Sequence, residues 1–235
     1  MDAQLRTLIE LQAVDSRIAG LEADAARIPR EIAAVQAAVE AARVQVEQTK
    51  ARLDAARKEQ RALEKDLEVV QTKRVKTEGR LYEVKTNKEY SAVLVEIEDI
   101  KQEKARMEDQ ILTLMEAHER LGVEIREVEE RYRARETQGR EEEAALQSTL
   151  REVETDLALV RRERADLAAT LPGPVLRDYD TVLRARAGLA IAAVAKPQSC
   201  GGCRVTLPPQ RLQELKQQNA LIRCESCGRY LYWMP

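Results

Sequence analysis

Four cysteines lie close together near the C-terminus, in two pairs of identical spacing. The pairs are Cys200-Gly-Gly-Cys203 and Cys224-Glu-Ser-Cys227, and twenty residues separate them. Two CxxC pairs at this separation are typical of a tetrahedral structural zinc site, with all four cysteines as ligands. Because protein thiolates would fill every coordination position, one zinc ion bound there should be structural rather than catalytic. Glycines within and after the pairs should ease the tight turns that such a site needs.

Three other interpretations of these cysteines stay open. Disulfides would fit an exported protein, but the N-terminus lacks the basic-then-apolar layout of a signal peptide. A thioredoxin-like redox centre would need a βαβ context that the sequence does not offer. An iron–sulfur cluster also uses four cysteines. The sequence favours zinc over all three and predicts a cytoplasmic protein.

The composition indicates what must position these cysteines. Of 235 residues, 34% are charged, only 3% are aromatic, and phenylalanine is absent. Such an A/E/K/L/R-rich chain favours long helices and argues against one compact core, a β-sandwich or an α/β barrel. No apolar run approaches the ~20 residues that span a bilayer, so we expect no membrane insertion.

Apolar residues repeat in steps of three and four along two long segments. The first seam runs from Ile28 to Val84, and the second begins at Val93. Such a sustained 3.5-residue period predicts a coiled coil. Pairing residue i with residue 174 − i places one seam on the other, which favours an antiparallel hairpin. The intervening residues should form the turn, with Ser91 able to cap the second helix.

The second seam fails at three positions: Arg135, Gly139 and Glu142. In the predicted pairing this failure lies beside Pro29, which removes a helix hydrogen bond. We therefore expect a kink near Pro29 and Gly139. A proline tolerated with little bend is the alternative.

These patterns predict a mainly α fold, a long kinked antiparallel coiled-coil hairpin with a small C-terminal zinc-ribbon β domain. The hairpin should occupy residues 1–171, with its turn near 85–91. After Pro172-Gly173-Pro174, a short connecting helix should span 172–187 and the C4 zinc ribbon 188–235.

Charge is unevenly distributed between these parts. Residues 172–235 carry nine Lys or Arg and four acids, a net of +5, whereas residues 1–171 carry 30 bases and 37 acids, a net of −7. The ribbon could therefore bind nucleic acid or a partner through phosphate contacts and base stacking. The candidate residues are Arg204, Arg211, Lys216, Arg223, Arg229 and Tyr232. The alternative is that the bases are solvated and that the aromatic residues pack the small ribbon.

The hairpin turn offers a second candidate surface. Its polar and aromatic residues are Tyr82, Lys85, Asn87, Lys88 and Tyr90. They could dock a partner, or they could be the residues that the turn itself needs.

The motifs CGGC and CESCGRYLYW, preceded by KTNKEYSAVLVEIE in a helical region, resemble bacterial coiled-coil proteins with a C-terminal C4-type zinc ribbon. The resemblance implies a kinked helical hairpin that carries a ribbon, with the four cysteines as zinc ligands. It further implies RNA binding or protein contacts in flagellar and secretion-system assembly.

An enzyme needs a pocket with convergent titratable groups, and neither a two-helix seam nor a small ribbon encloses one. Two non-enzymatic functions remain. We expect a non-enzymatic adaptor that docks protein partners. The alternative is an RNA-binding regulatory protein that uses the basic ribbon. We expect no small-molecule substrate, and a monomer or weak homo-oligomer.

Overall fold

A computed structural model describes residues 3–195, 198–217 and 220–233. Helix α1 spans Ala3–Arg80 and helix α2 spans Asn87–Ala169. Helix α3 spans Gly173–Ala185 and helix α4 spans Pro209–Gln217. The strands are β1 (Ile191–Ala195), β2 (Ser199–Cys200), β3 (Ile222–Arg223) and β4 (Tyr230–Tyr232). None of the helices described is long and apolar enough to cross a membrane.

Contacts divide the chain into two compact units. One consists of Met1–Ala33 with Glu143–Pro235, and the other is Ala34–Glu142. Helix α1 continues without a break through Pro29, and α2 continues through Gly139. Because a helix can bend without a break, the kink that we expect near Pro29 and Gly139 stays a prediction.

The unit of residues 34–142 contains the turn and the adjoining parts of both arms of the antiparallel coiled-coil hairpin that the heptads predicted. Its buried seam residues are Val46, Thr49, Leu53, Val70, Thr77, Val93, Ile97, Ile100, Leu121 and Val128, all of them predicted seam positions. Ion pairs join the flanks of the two helices, such as Arg52–Glu124 at 3.0 Å and Arg80–Glu96 at 2.9 Å.

The turn begins its second helix differently from our prediction. The Thr86 hydroxyl accepts the Glu89 N–H at 3.3 Å, and a Glu89 carboxylate oxygen accepts the Thr86 N–H at 3.2 Å. These reciprocal bonds form a capping box, so Thr86 rather than Ser91 caps α2. Ser91 lies within the helix and donates to the Asn87 carbonyl oxygen at 3.0 Å.

The seam failure in α2 has a local explanation. Arg135 and Glu142 pair with each other at 3.1 Å along the helix. Gly139 between them is buried, and an added Cβ would lie 2.7 Å from Val39 Cγ2 and 3.5 Å from Val35 Cγ1. Two valines of α1 therefore fill the space that a side chain would need, and Gly139 allows this close approach.

The unit of residues 1–33 and 143–235 contains both remaining helices and the ribbon. The ribbon strands form one sheet in the order β2-β1-β4-β3, with β1 and β4 parallel and the other pairs antiparallel. One core cluster lies inside the ribbon and includes Leu207, Leu212, Leu215 and Leu231. A second joins the ribbon to the helices and includes Leu8, Leu11, Tyr179, Ile191 and Tyr230.

Two glycines of α2 provide a matched test of the packing at Gly139. In helix interiors, Gly→Ala stabilises by up to ~1 kcal/mol. Gly122→Ala should gain this amount, because nothing lies within 4 Å of its added Cβ. Gly139→Ala should instead destabilise by about 1 kcal/mol, because stiff Val39 must move. Denaturant unfolding followed by circular dichroism measures both, and equal stabilisation would contradict the packing.

Candidate metal centre

The two cysteine pairs form knuckles with the same backbone pattern. In the first, the Arg204 N–H donates to the Cys200 carbonyl oxygen at 2.7 Å; in the second, the Gly228 N–H donates to that of Cys224 at 2.8 Å. The residue after each second cysteine has positive φ, 63° at Arg204 and 77° at Gly228. Only the second knuckle has glycine at this position, where it avoids strain.

Gly201 and Gly202 serve a different purpose from the one we predicted. Neither has positive φ. An added Cβ at Gly201 would lie 2.5 Å from the Ala193 carbonyl oxygen, and one at Gly202 would lie 2.5 Å from Arg229 Cδ. The first knuckle needs these glycines because strand β1 and the Arg229 side chain lie directly against it.

The knuckles bring all four sulfurs together. The Sγ atoms of Cys200 and Cys227 are 3.8 Å apart, and those of Cys203 and Cys224 are 3.7 Å apart. All four lie within 4.8 Å of one another. A tetrahedron with metal–sulfur bonds of ~2.3 Å has edges of about 3.8 Å, so the thiols fit one tetrahedral ion.

The same distances weigh against the other interpretations. A disulfide requires sulfurs about 2.05 Å apart, and the four thiols are free. Their convergence on one point leaves room for a single ion rather than for a cluster of several irons. With all four positions filled by thiolates, such an ion has no open site for a water or a substrate.

The protein surroundings shift the pKa values of Cys200, Cys224 and Cys227 in different directions. Burial raises the pKa of the Cys200 thiol to about 12 and also raises the pKa of Cys224. Burial acts on Cys227 in the same direction, but hydrogen bonds with the Arg229 backbone and side chain, together with those of Cys203 and Cys224, outweigh it and lower the pKa of Cys227 to about 6. A metal must displace protons from the buried thiols, so metal binding should strengthen as pH rises.

Most of the predicted ribbon bases bind within the chain. Arg211 pairs with Glu214 at 2.9 Å and with Glu225 at 3.0 Å. Arg223 pairs with Asp178 at 2.8 Å. The Arg229 Nε donates to the Leu189 carbonyl oxygen at 2.8 Å.

The two remaining predicted bases differ. The Lys216 ammonium lies 5.0 Å from the centre of the Trp233 ring. Arg204 is exposed, and its side chain makes no hydrogen bond or ion pair with the described residues. Lys196, which the charge count included, lies outside those residues.

The aromatic residues of β4 pack on both faces of the strand. Tyr230 and Tyr232 contact the cluster that joins the ribbon to the helices, whereas Leu231 and Trp233 contact the ribbon core. The Tyr230 hydroxyl donates to Asp178, which also accepts from Arg223. Burial, followed by Asp178, raises the pKa of Tyr230 to about 12. Each of these aromatic side chains therefore has packing contacts within the chain.

Sequence reasoning missed Asp178, Arg186 and the role of Arg229. Asp178 binds Arg223 and Tyr230, 45 and 52 residues away. The Arg186 Nε donates to the Cys227 carbonyl oxygen at 2.9 Å. No local motif marks these pairings, because each depends on how α3 packs against the ribbon.

Removing the metal should unfold the ribbon and leave most helix intact. The ribbon core contains three of the ligands, whereas α1 and α2 account for 78 and 83 helical residues. Trp233, the only tryptophan, packs against that core. Chelation should therefore shift tryptophan fluorescence to the red while far-UV circular dichroism changes little.

The variant Cys200→Ser, without chelator, should reproduce this fluorescence shift, and Ser226→Ala in the second knuckle should not. Loss of most of the helical signal on chelation, or an unchanged Trp233 emission, would contradict the prediction.

Comparisons with known proteins agree with this geometry. The model of the CT398-like coiled coil hairpin domain matches residues 11–188, and that of the C4-type zinc ribbon domain matches residues 199–231. No curated protein matches the sequence. The ribbon match and the convergent thiols together identify the metal as one structural Zn²⁺.

Three solved structures have similar folds. CT398 from Chlamydia trachomatis has 21% identity and a TM-score of 0.83, with 98% of each chain covered. HP0958 from Helicobacter pylori has 19% identity and a TM-score of 0.68, covering 99% of this chain and 98% of its own. A Mycobacterium smegmatis protein has 19% identity, a TM-score of 0.70 and 97% coverage of both chains. The chain belongs to the CT398-like coiled-coil hairpin family and carries a C4-type zinc ribbon.

Proposed function

We propose that this protein is a non-enzymatic adaptor whose hairpin turn docks a partner protein. The observation that carries the proposal is the exposure of two aromatic side chains at the turn. Tyr82 is 92% exposed and Tyr90 is 47% exposed. Tyrosine contributes much of the contact energy in protein interfaces, because it buries a large rigid ring and keeps a polar tip.

Further apolar side chains are exposed near these tyrosines. Val75 is 68% exposed, Leu94 is 44% exposed and Val95 is 62% exposed. Single exposed apolar residues are ordinary, whereas five within 21 positions around one turn support an interaction site there. Aliphatic side chains favour a protein partner, since phosphates and bases gain little from them.

The charged residues at the turn would suit a polar interface rim. Lys85 and Lys88 form no ion pair within the described residues. Glu89 is committed to the capping box, where hydrogen bonds from Thr86 and the Lys85 backbone lower its pKa. The partner should therefore offer an apolar pocket with acidic groups at its edge.

Hydrogen bonds within the chain define the conformation of the turn without a partner. The capping box fixes the start of α2, and Leu81, Tyr82 and Glu83 each donate a backbone hydrogen bond to the last turn of α1. A preformed surface loses little conformational entropy on binding. The family resemblance implies that partners should be sought among flagellar and secretion-system proteins.

Site-specific photocrosslinking in cells tests the docking surface. A photoreactive side chain at position 82 or 90 should give a discrete protein adduct that survives nuclease treatment. Position 112 is the matched control, because Leu112 is also exposed, at 58%, on the same unit. Tyr82→Ala should abolish the adduct at position 90. It should leave stability within about 0.5 kcal/mol, because the side chain is exposed.

Equal crosslinking at positions 82, 90 and 112, or none at the turn, would overturn the docking proposal.

RNA binding by the ribbon is the second candidate. All four acids of residues 172–235 form ion pairs: Asp178 with Arg223, Asp180 with Arg164, and Glu214 and Glu225 with Arg211. Arg177, Arg184 and Arg204 have no carboxylate partner among the described residues. These three, rather than Arg211 or Arg223, would be the cations available to phosphates.

Salt dependence tests the RNA candidate. Three or four phosphate contacts predict that log affinity for single-stranded RNA falls with log salt at a slope of about −2 to −3. Arg204→Glu should weaken binding and flatten the slope. Arg162→Glu on α2, with the same charge change at an exposed position, should do neither. No binding at low salt, or equal effects of both variants, would exclude RNA binding by the ribbon and leave the adaptor as the remaining candidate function.

A further inference from the structure

Two arginines beside the second knuckle donate hydrogen bonds to backbone carbonyl oxygens. The Arg229 Nε donates to Leu189 at 2.8 Å, and its Nη2 donates to Arg186 at 3.4 Å. The Arg186 side chain donates in return to Cys227 at 2.9 Å. These bonds join the turn between α3 and β1 to the second knuckle, and we call the two side chains the arginine latch.

Arg229 also lies against the first knuckle. A Cβ at Gly202 would lie 2.5 Å from Arg229 Cδ, 2.7 Å from Nε and 2.9 Å from Cζ. The Arg229 side chain therefore lies against the backbone at Gly202, next to Cys203, and Arg229 itself closely follows Cys227 in the chain. A side chain at position 202 would push it away from the centre.

The latch carries charge that no acid balances. Neither Arg186 nor Arg229 forms an ion pair within the described residues, whereas Arg211 and Arg223 both do. A guanidinium stays protonated at any physiological pH. Arg229 is partly buried, and a partly buried charge costs free energy unless an opposite charge lies near.

The metal centre supplies that opposite charge. Four thiolates and one divalent zinc ion carry a formal charge of −2. We propose that Arg229, assisted by Arg186, is the counter-charge of this zinc–thiolate centre. The same latch couples zinc binding to the docking of the α3–β1 turn on the ribbon. Arg229 is thus a positioning and electrostatic residue of the metal site rather than part of a nucleic-acid surface.

Zinc affinity of the full-length protein, measured by competition with a chelator, tests the proposal. Arg229→Gln keeps a hydrogen-bond donor but removes the charge, and it should weaken zinc binding by about 10–100-fold. Arg229→Lys keeps the charge and should retain most of the affinity. A role limited to hydrogen bonding predicts the reverse order. Raising salt from about 0.05 M to about 1 M should narrow the gap between wild type and Arg229→Gln, since salt screens charge.

Arg204→Gln is the matched control. Arg204 directly follows Cys203, but its exposed side chain makes no hydrogen bond or ion pair within the described residues, so its loss should leave zinc affinity unchanged. Cobalt-substituted samples should show a tetrahedral thiolate spectrum in every variant, which separates lost charge from a misfolded site. Arg186→Gln, nearer to solvent, provides a second measurement and should weaken binding several-fold.

Wild-type affinity in Arg229→Gln and Arg186→Gln would overturn the proposal. Equal weakening by Arg204→Gln, or loss of affinity in Arg229→Lys with retention in Arg229→Gln, would overturn it as well.

Discussion

The convergence of four sulfurs on one ion is the constraint on which the ribbon depends. Its strands are two to five residues long, too short for a sheet to hold itself together. Cys200, Cys224 and Cys227 are themselves members of the ribbon core. Without the metal, that core would contain buried thiols, and the two knuckles would lose the cross-link that holds them together. The metal therefore supplies stability that a larger domain would obtain by burying more apolar surface.

The ribbon is also tied to the helices of its own unit by polar contacts. The Gln12 side-chain amide donates to the Ile191 carbonyl oxygen at 3.0 Å and accepts the Ile191 N–H at 2.6 Å. Asp15 accepts from the Tyr179 hydroxyl at 2.8 Å and pairs with Arg164 at 2.6 Å. Such directional contacts specify one docking geometry, which the apolar cluster around Leu8 and Tyr230 alone would leave open. Strand β1 thus contacts α1 on one side and the zinc knuckles on the other, so the ribbon is packed against the helices of its own unit.

Much of this architecture could be predicted from local sequence rules. The heptad period yielded the buried seam, and the CxxC spacing yielded the convergent thiols, because both depend on short-range periodicity or pairing. Contacts between residues far apart in sequence could not be predicted in the same way. Asp178 and Arg223 are 45 residues apart, and Arg186 and Cys227 are 41 apart. The sequence predicts that Gly202 eases a turn, whereas in the structure Gly202 leaves the space that Arg229 occupies. Even the cap of α2 was misplaced, since Thr86 and Ser91 are both good capping residues and only geometry distinguishes them.

The distinction between engaged and free side chains matters most for function. The count of bases along residues 172–235 suggested a surface for anions, but a count does not distinguish the engaged Arg211, Arg223 and Arg229 from Arg204. Once ion pairs and carbonyl contacts are assigned, the first three stabilise the ribbon and only Arg204 of these four remains free. Aromatic residues divide in the same way. Tyr230 is 4% exposed within the base of the ribbon, whereas Tyr82 at the hairpin turn is 92% exposed. An exposed ring that packs against nothing in the fold is the stronger indication of a binding surface, and on this ground we propose the turn rather than the ribbon as the docking surface.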